Sequence, residues 1–284
     1  MPLRANRSSA GFKDIGILNF LRKILIAVLL PVLSANLSFG AERTFKVPGF
    51  THPFRVTTER NQPGGFTMVK DPLDQYNAAK VFKFSINPGP CVRDDCEQQS
   101  ARATVQQGRK AKQPKEAWYG WDMYFVPDFP IGSKQVRGHE IFVEFKDQDQ
   151  CQLVALTTNP HSNDQFLSWS MEKPSGKQMT QFGGDCIDLF DMRVAPIREL
   201  AGAWHRFELF VRWTGEGDGR FLMFLDGKQV VDYQGITCFS CDKLNYFLFG
   251  NYLCCTTGTK LVVPATVYYR YVSMAKSREA LVWK

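Results

Sequence analysis

Trp204-His205-Arg206-Phe207-Glu208-Leu209-Phe210-Val211-Arg212-Trp213 is followed by Arg220 to Leu225, then Asp226-Gly227, then Lys228 to Tyr233. In the first segment Phe207, Leu209, Val211 and Trp213 alternate with Arg206, Glu208 and Arg212. A period of two puts the apolar set on one face and the charged set on the other, which is the pattern of a half-buried strand. Asp-Gly between two further runs of this kind is the strongest short-range hairpin signal a sequence carries. The block therefore reads as consecutive antiparallel strands with one wet face and one dry face.

The same reading extends along the chain. Strands are predicted at Val81 to Ile86, Ala101 to Gln107, Trp118 to Val126, Glu140 to Lys146, Gln152 to Thr157, Tyr246 to Leu253 and Thr266 to Met274. Helical periodicity is weak, and Asp191 to Leu200 is the one segment suited to a helical turn or two. Many short strands punctuated by Gly and Pro argue an all-β sandwich of two antiparallel sheets, a jelly roll. A chain of 284 residues without repeat, low-complexity tract or long linker fits one such domain behind a leader.

The leader is legible at the N-terminus. Lys13, Arg22 and Lys23 precede the apolar run Ile24 to Leu33, and small residues end it at Ser38-Phe39-Gly40. This is the layout of a secretory signal, so 1–40 reads as signal peptide, 41–284 as a single domain, and the protein as secreted or periplasmic. The run is broken by Pro31 and is shorter than the roughly 20 residues that span a bilayer, and no other segment is apolar enough to do so. Removing the leader takes away four of the seven net positive charges, leaving about +3. That balance suits an acidic ligand weakly and gives no case for nucleic acid, which calls for clustered Lys and Arg on one surface. A monomer is expected.

All eight cysteines, Cys91, Cys96, Cys151, Cys186, Cys238, Cys241, Cys254 and Cys255, lie beyond the leader. Export makes them disulfide candidates. Cys91 with Cys96 and Cys238 with Cys241 would close short loops, whereas Cys254 and Cys255 point to opposite faces of a strand and call for different partners. A zinc site from Cys238, Cys241, Cys254 and Cys255 is the alternative, though its spacing is not that of a standard ribbon.

The most informative chemistry lies in Tyr246-Phe247-Leu248-Phe249-Gly250-Asn251-Tyr252. As a strand it places Tyr246, Leu248, Gly250 and Tyr252 on one face and Phe247 and Phe249 on the other. One face packs a core and the other offers phenols to a ligand. The stretch resembles the Tyr-Phe-Lys-x-Gly-x-Tyr strand of jelly-roll polysaccharide lyases of the alginate lyase and heparin lyase I kind. Trp118 to Pro130 and Trp204 to Gly235 extend the likeness over most of the chain and look like the heparin lyase I-like group, which includes glucuronan lyases. The resemblance implies a concanavalin A-like β-jelly-roll and cleavage of uronic-acid polysaccharides by β-elimination, with Tyr252 as the catalytic acid.

That reaction needs a group to neutralise the uronate carboxylate, a base for the C5 proton and an acid for the departing O4 oxygen. In the family these come from an Arg-x-Glu-x-Arg strand, a Gln-x-His strand and the tyrosine strand. Carried over, the first falls on Arg102-Ala103-Thr104-Val105-Gln106, where only Arg102 matches. The second falls on Glu144-Phe145-Lys146, with Lys146 where the family has its base histidine and Glu144 in place of glutamine. In the third, Leu248 stands where the family has lysine.

Glu144 and Lys146 share a face two residues apart, together with Phe142 on strict alternation. Their plain reading is a structural ion pair. For Lys146 to be the base, its pKa must fall by several units, and Glu144 pushes the other way. The other route is one tyrosine serving as base and acid, with Arg102 or Lys146 nearby to favour a phenolate. His139 is the spare base just before its strand, whereas His205 and His161 read as solvent-exposed, and His52, near the start of the domain, carries no signal. Tyr246, Trp118 and Tyr268 are candidate substrate-binding groups or core residues.

No cofactor is certain. Calcium is the candidate, from Asp185, Asp188 and Asp191 or from Asp147-Gln148-Asp149, although neither run matches a calcium loop. The absence of Gly-x-Ser-x-Gly, of a phosphate loop and of a dinucleotide fingerprint removes the functions those motifs support. The sequence thus reads as an exported lyase acting on an acidic polysaccharide. The alternative is a non-catalytic, lectin-like carbohydrate-binding jelly roll of the cell envelope.

Overall fold

Alternation governs nearly every element of the chain. The computed structural model describes residues 44–57, 64–74, 80–87, 101–108, 111, 113–130, 139–146, 152–158, 166–174, 186–239, 241, 246–254 and 264–283, and the side chains at 139, 152, 153, 174, 186–189 and 254 lie outside that description. Among these residues the strands are β1 (Thr44–Phe45), β2 (Phe54–Val56), β3 (Phe66–Lys70), β4 (Lys80–Ile86), β5 (Ala101–Gln107), β6 (Glu116–Phe125), β7 (His139–Lys146) and β8 (Gln152–Thr158). They continue with β9 (Phe166–Pro174), β10 (Cys186–Pro196), β11 (Trp204–Arg212), β12 (Gly219–Leu225), β13 (Lys228–Gly235), β14 (Tyr246–Cys254) and β15 (Ala265–Ala275). One short helix, α1 (Ile197–Leu200), and a 3-10 turn at Arg278–Ala280 complete the described elements.

The strands form two antiparallel sheets, one of eight in the order β1-β2-β5-β14-β7-β8-β9-β10 and one of seven in the order β13-β12-β11-β6-β15-β4-β3. This is a jelly-roll sandwich, with spatial neighbours such as β14 and β5, or β15 and β6, far apart in sequence. The β11–β12–β13 meander lies at one side of the seven-stranded sheet, joined by the predicted turn, in which Asp226 and Gly227 have φ of 51° and 81°. Positive φ at both central residues is what a type I′ hairpin demands.

The inner faces supply an aromatic core. Phe207, Leu209 and Val211 are fully buried, and the Phe207 ring stacks on Trp121 with centroids 5.7 Å apart. Phe247 and Phe249 of β14 reach Phe54, Phe84, Tyr119, Phe145 and Tyr269, which come from both sheets. Each buried ring of this size contributes on the order of 1.5–3 kcal/mol over leaving it in water, so the core holds β14 firmly between β5 and β7.

Two local expectations change. Asp191 to Pro196 is strand, because β10 pairs with β9 as far as Pro196, and only Ile197–Leu200 is helical. Phe142 does not share a face with Glu144 and Lys146. A bulge between Ile141 and Val143 breaks the alternation, and Phe142 turns inward against Phe125 and Phe129, with centroids at 5.2 Å and 6.1 Å. The extra residue in β7 is left unpaired, so Phe142 and Val143 both face the core and the alternation on either side of them is out of step.

Cys238 is paired with Cys241, their Cα atoms 5.4 Å apart, which removes both thiolates from the zinc alternative. Cys91, Cys96, Cys151 and Cys255, and the side chains of Cys186 and Cys254, lie outside the described residues, as does the whole leader. Among the described residues no helix is long and apolar enough to cross a membrane.

Candidate active site

β14 lies between β5 and β7, so these three strands bring the main candidates to one place. Phe247, Phe249 and Leu253 enter the core, and Tyr246, Leu248 and Tyr252 face outward from the eight-stranded sheet. Across one ladder Tyr252 stands opposite Arg102. The Arg102 guanidinium carbon lies 4.4 Å from the centroid of the Tyr252 ring, well within cation–π range. Across the other ladder Tyr246 faces Lys146 and Leu248 faces Glu144.

Lys146 Nζ lies 3.5 Å from Glu144 Oε1, and Glu144 is almost completely shielded from water although it faces away from the core. The Glu144 carboxylate holds the Lys146 ammonium above its ordinary pKa; burial opposes this, Tyr246 and Tyr252 add to it, and Arg102 acts against it. A raised pKa favours the ammonium form and so weighs toward Lys146 as a source of positive charge rather than as the base.

A further cation was not visible in the motifs. Arg55 on β2 stands opposite Gln106, whose carboxamide oxygen, in the orientation that satisfies both groups, accepts from Arg55 Nε at 3.0 Å. A guanidinium from a neighbouring strand therefore sits beside the position where the family motif ends in arginine. Thr104, on the same face, exchanges a 2.6 Å hydrogen bond with Thr57.

The backbone at the centre of the site is irregular. The register of β14 against β7 shifts between Phe249 and Tyr252, and Gly250 has φ of 144°, a conformation essentially open only to glycine. This bulge aligns with the one at Phe142. The Tyr269 hydroxyl, from the other sheet, lies 2.7 Å from the Gly250 carbonyl oxygen and 2.8 Å from that of Phe142, serving both bulges with one donor. Full burial holds its proton well above the usual phenol range. Asn251 adds a second tie between the sheets by donating to the Ala265 carbonyl at 3.2 Å. Tyr269 and Asn251 position Tyr252, and no sequence signal short of the register identifies them.

Other candidates lie elsewhere. Trp118 is on the outer face of the seven-stranded sheet, packed on Phe210 and Phe224 at 5.4 Å and 6.1 Å, and Tyr268 is on that same sheet against Tyr124 at 5.6 Å. The sandwich separates both from Tyr252, so neither lines its face; alternation is the same on either sheet and cannot say which one a strand joins. His139 opens β7 opposite Cys254, and its side chain is outside the described residues. His205 is not a free surface group: its Nδ1 lies 2.7 Å from Asp226 Oδ2 and its Nε2 is buried. His161, Asp147, Asp149 and Asp185 fall outside the described residues, and among the described ones no three metal-ligating side chains converge.

The assembled cluster has three cations, Arg102, Lys146 and Arg55, beside two phenols and one buried carboxylate. Such a site can hold an anion and pass a proton through a phenolic oxygen. The sequence matches the polysaccharide lyase family over residues 49–269. Among solved structures the chain is similar to endo-β-1,4-glucuronan lyase from the fungus Trichoderma reesei, at 17% identity and a TM-score of 0.60, with 85% of this chain and 97% of that one covered. It is also similar to an alginate lyase from Chlorella virus, at 13% identity and a TM-score of 0.46, covering 75% of this chain and 89% of that one. No curated protein matches the sequence.

Proposed function

Because this chain belongs to the polysaccharide lyase family, we propose that it cleaves a uronic-acid-containing polysaccharide by β-elimination on the outer face of β5, β14 and β7, with Tyr252 carrying the proton. The observation that carries this reading is the Arg102 guanidinium stacked over the Tyr252 ring, with Lys146 held as a cation on the neighbouring strand.

Elimination draws a proton from C5 of a uronate whose carboxylate carries the developing charge. Arg102 and Lys146 are the groups to meet that charge, since preorganised cations stabilise it without reorganising. Tyr252 in its phenolate form takes the C5 proton; the C5 electron pair forms the C4–C5 double bond, the C4–O4 bond breaks, and the tyrosine hydroxyl returns the proton to O4. The phenolate is regenerated and no proton is left over. This route needs no histidine at position 146. Tyr246, beside Lys146, is the further substrate contact in this reading.

The same reading takes 1–40 as a cleaved signal peptide, 41–284 as one secreted or periplasmic domain, the chain as a monomer, and the Cys238–Cys241 pair as one disulfide of an exported protein. Tyr252, Arg102 and Lys146 carry the eliminative step, and calcium is the candidate ligand of the acidic loops. The test is the ultraviolet absorbance of the unsaturated uronate product from glucuronan, alginate, heparin and pectate, with and without calcium. A rise with the wild type that falls by about 10²–10⁴ in Tyr252→Phe, the range expected for loss of a general acid or base, supports the mechanism. Equal rates for the two proteins would remove Tyr252 from the chemistry. Polymer binding without product would make the protein a lectin-like member of the family.

A further inference from the structure

The outer face of the eight-stranded sheet extends well beyond Tyr252, and register links its strands in one row. Arg102 stands opposite Tyr252, Tyr252 opposite Ile141, Ile141 opposite Thr157, Thr157 opposite Ser168 and Ser168 opposite Arg193. Directly opposed residues share a face, so this row crosses β5, β14, β7, β8, β9 and β10 on the catalytic side. It begins and ends in a guanidinium and contains no carboxylate. The adjacent row runs through Leu248, Glu144, Ala155, Ser170 and Asp191, with two acids in it. A polyanion laid across this sheet is guided along the first row and repelled from the second.

The far end of the row holds a prepared cation. Arg193 is exposed, and its guanidinium carbon lies 4.7 Å from the centroid of the Phe166 ring. Phe166 shares the face of Ser168, two residues on. Among the described residues, Arg206, Arg212, Arg220, Arg270 and Arg278 are each paired with an Asp or Glu, whereas no carboxylate pairs with Arg193. Stacking fixes the plane of a guanidinium while leaving its N–H edge free, and that edge matches a carboxylate bidentately. Ser168, under the row beside Arg193, carries a buried hydroxyl without a hydrogen-bond partner.

We propose that Arg193, oriented by Phe166, is a distal subsite that binds the carboxylate of a uronate several residues along the same polysaccharide chain that is cleaved at Tyr252. Four strand steps separate β14 from β10, roughly 19 Å at about 4.8 Å per step. One β-linked pyranose advances by about one such step, so the subsite engages only chains that extend some four sugars beyond the cleavage point. The inference rests on the proposed lyase function. It adds that chain length is read electrostatically at the edge strand.

The test compares wild type, Arg193→Ala, Arg193→Lys and Phe166→Ala on a size ladder of uronate oligosaccharides and on the intact polymer, measuring kcat and KM by product absorbance and affinity by calorimetry. For Arg193→Ala the expected result is a KM raised about ten- to a hundredfold on long chains, the worth of one charge-assisted contact. Its kcat and its activity on the shortest cleavable oligomers stay at the wild-type level. Arg193→Lys recovers part of the loss, and Phe166→Ala gives a smaller one. An equal effect of Arg193→Ala at every length, or none at any length, overturns the subsite. If the wild type binds polymer without cleaving it, the lyase reading fails separately, and calorimetry decides the subsite: unchanged affinity in Arg193→Ala overturns it. A wild type that neither cleaves nor binds overturns both.

Discussion

Glu140 is expected to make this fold lose stability as the pH rises through neutrality. Its side chain is wholly inaccessible, and neither carboxyl oxygen has a hydrogen-bond partner. It stands opposite Leu253, a core residue, because the bulge in β7 turns it inward. Burial pushes its pKa up to about 8 from an ordinary 4.5. At about 1.4 kcal/mol per pH unit, that displacement corresponds to on the order of 5 kcal/mol between the protonated and ionised forms. The folded chain holds the proton across this window while the unfolded chain has already released it. Stability from this group is therefore complete below the ordinary carboxyl range, falls as pH rises, and is gone above about pH 8. The loss is comparable to the whole stability of many domains, about 5–15 kcal/mol. Urea unfolding of wild type and Glu140→Gln at a series of pH values measures it. The glutamine variant, neutral throughout, should lack this slope and become the more stable protein at the alkaline end by several kcal/mol. A difference between the two proteins that stays constant across the window would refute the reasoning.

Gly250→Ala should separate Tyr252 from Arg102. A Cβ there would stand 2.7 Å from Thr104 Cα and against the Ala103 carbonyl, at a φ of 144°, and such backbone strain costs on the order of 1–3 kcal/mol. The variant should melt at lower temperature and lose activity beyond that expected from unfolding; an unchanged melting temperature would contradict it. Glu144→Gln removes the chief cause of the raised Lys146 pKa, leaving burial to act downward. The alkaline limb of the pH–rate profile should move to lower pH, and a limb that does not move would take Lys146 out of the charge balance of the site.

The face of Tyr246 and Tyr252 could be read from residues 246–252 because side-chain direction along a strand depends only on parity. The Asp226-Gly227 turn was legible for an equally local reason, since few dipeptides accept positive φ twice. Parity ceases to be reliable at a bulge. Phe142 was therefore misplaced by strict alternation, and Glu140 turns inward for the same reason. Trp118 and Tyr268 alternate as regularly as Tyr252, yet they belong to the other sheet. The likeness of the tyrosine strand pointed to the right family, while the substitutions at Glu144, Lys146 and Gln106 could be weighed only once their neighbours were known.

The sequence alone determined what is local: strand periodicity, the hairpin turn, and the pairing of an aromatic core face with a phenol-bearing outer face. Tertiary structure decided which residues from distant segments meet. Register across β5, β14 and β7 set Arg102 on Tyr252, the Tyr269 hydroxyl joined the two bulges, Glu144 came to lie beside Lys146, and Arg193 was carried to the far end of the row that starts at Arg102. The physical reason is that conformational preference acts over a few neighbouring residues, whereas electrostatics and packing act through space between strands that the chain order does not place side by side.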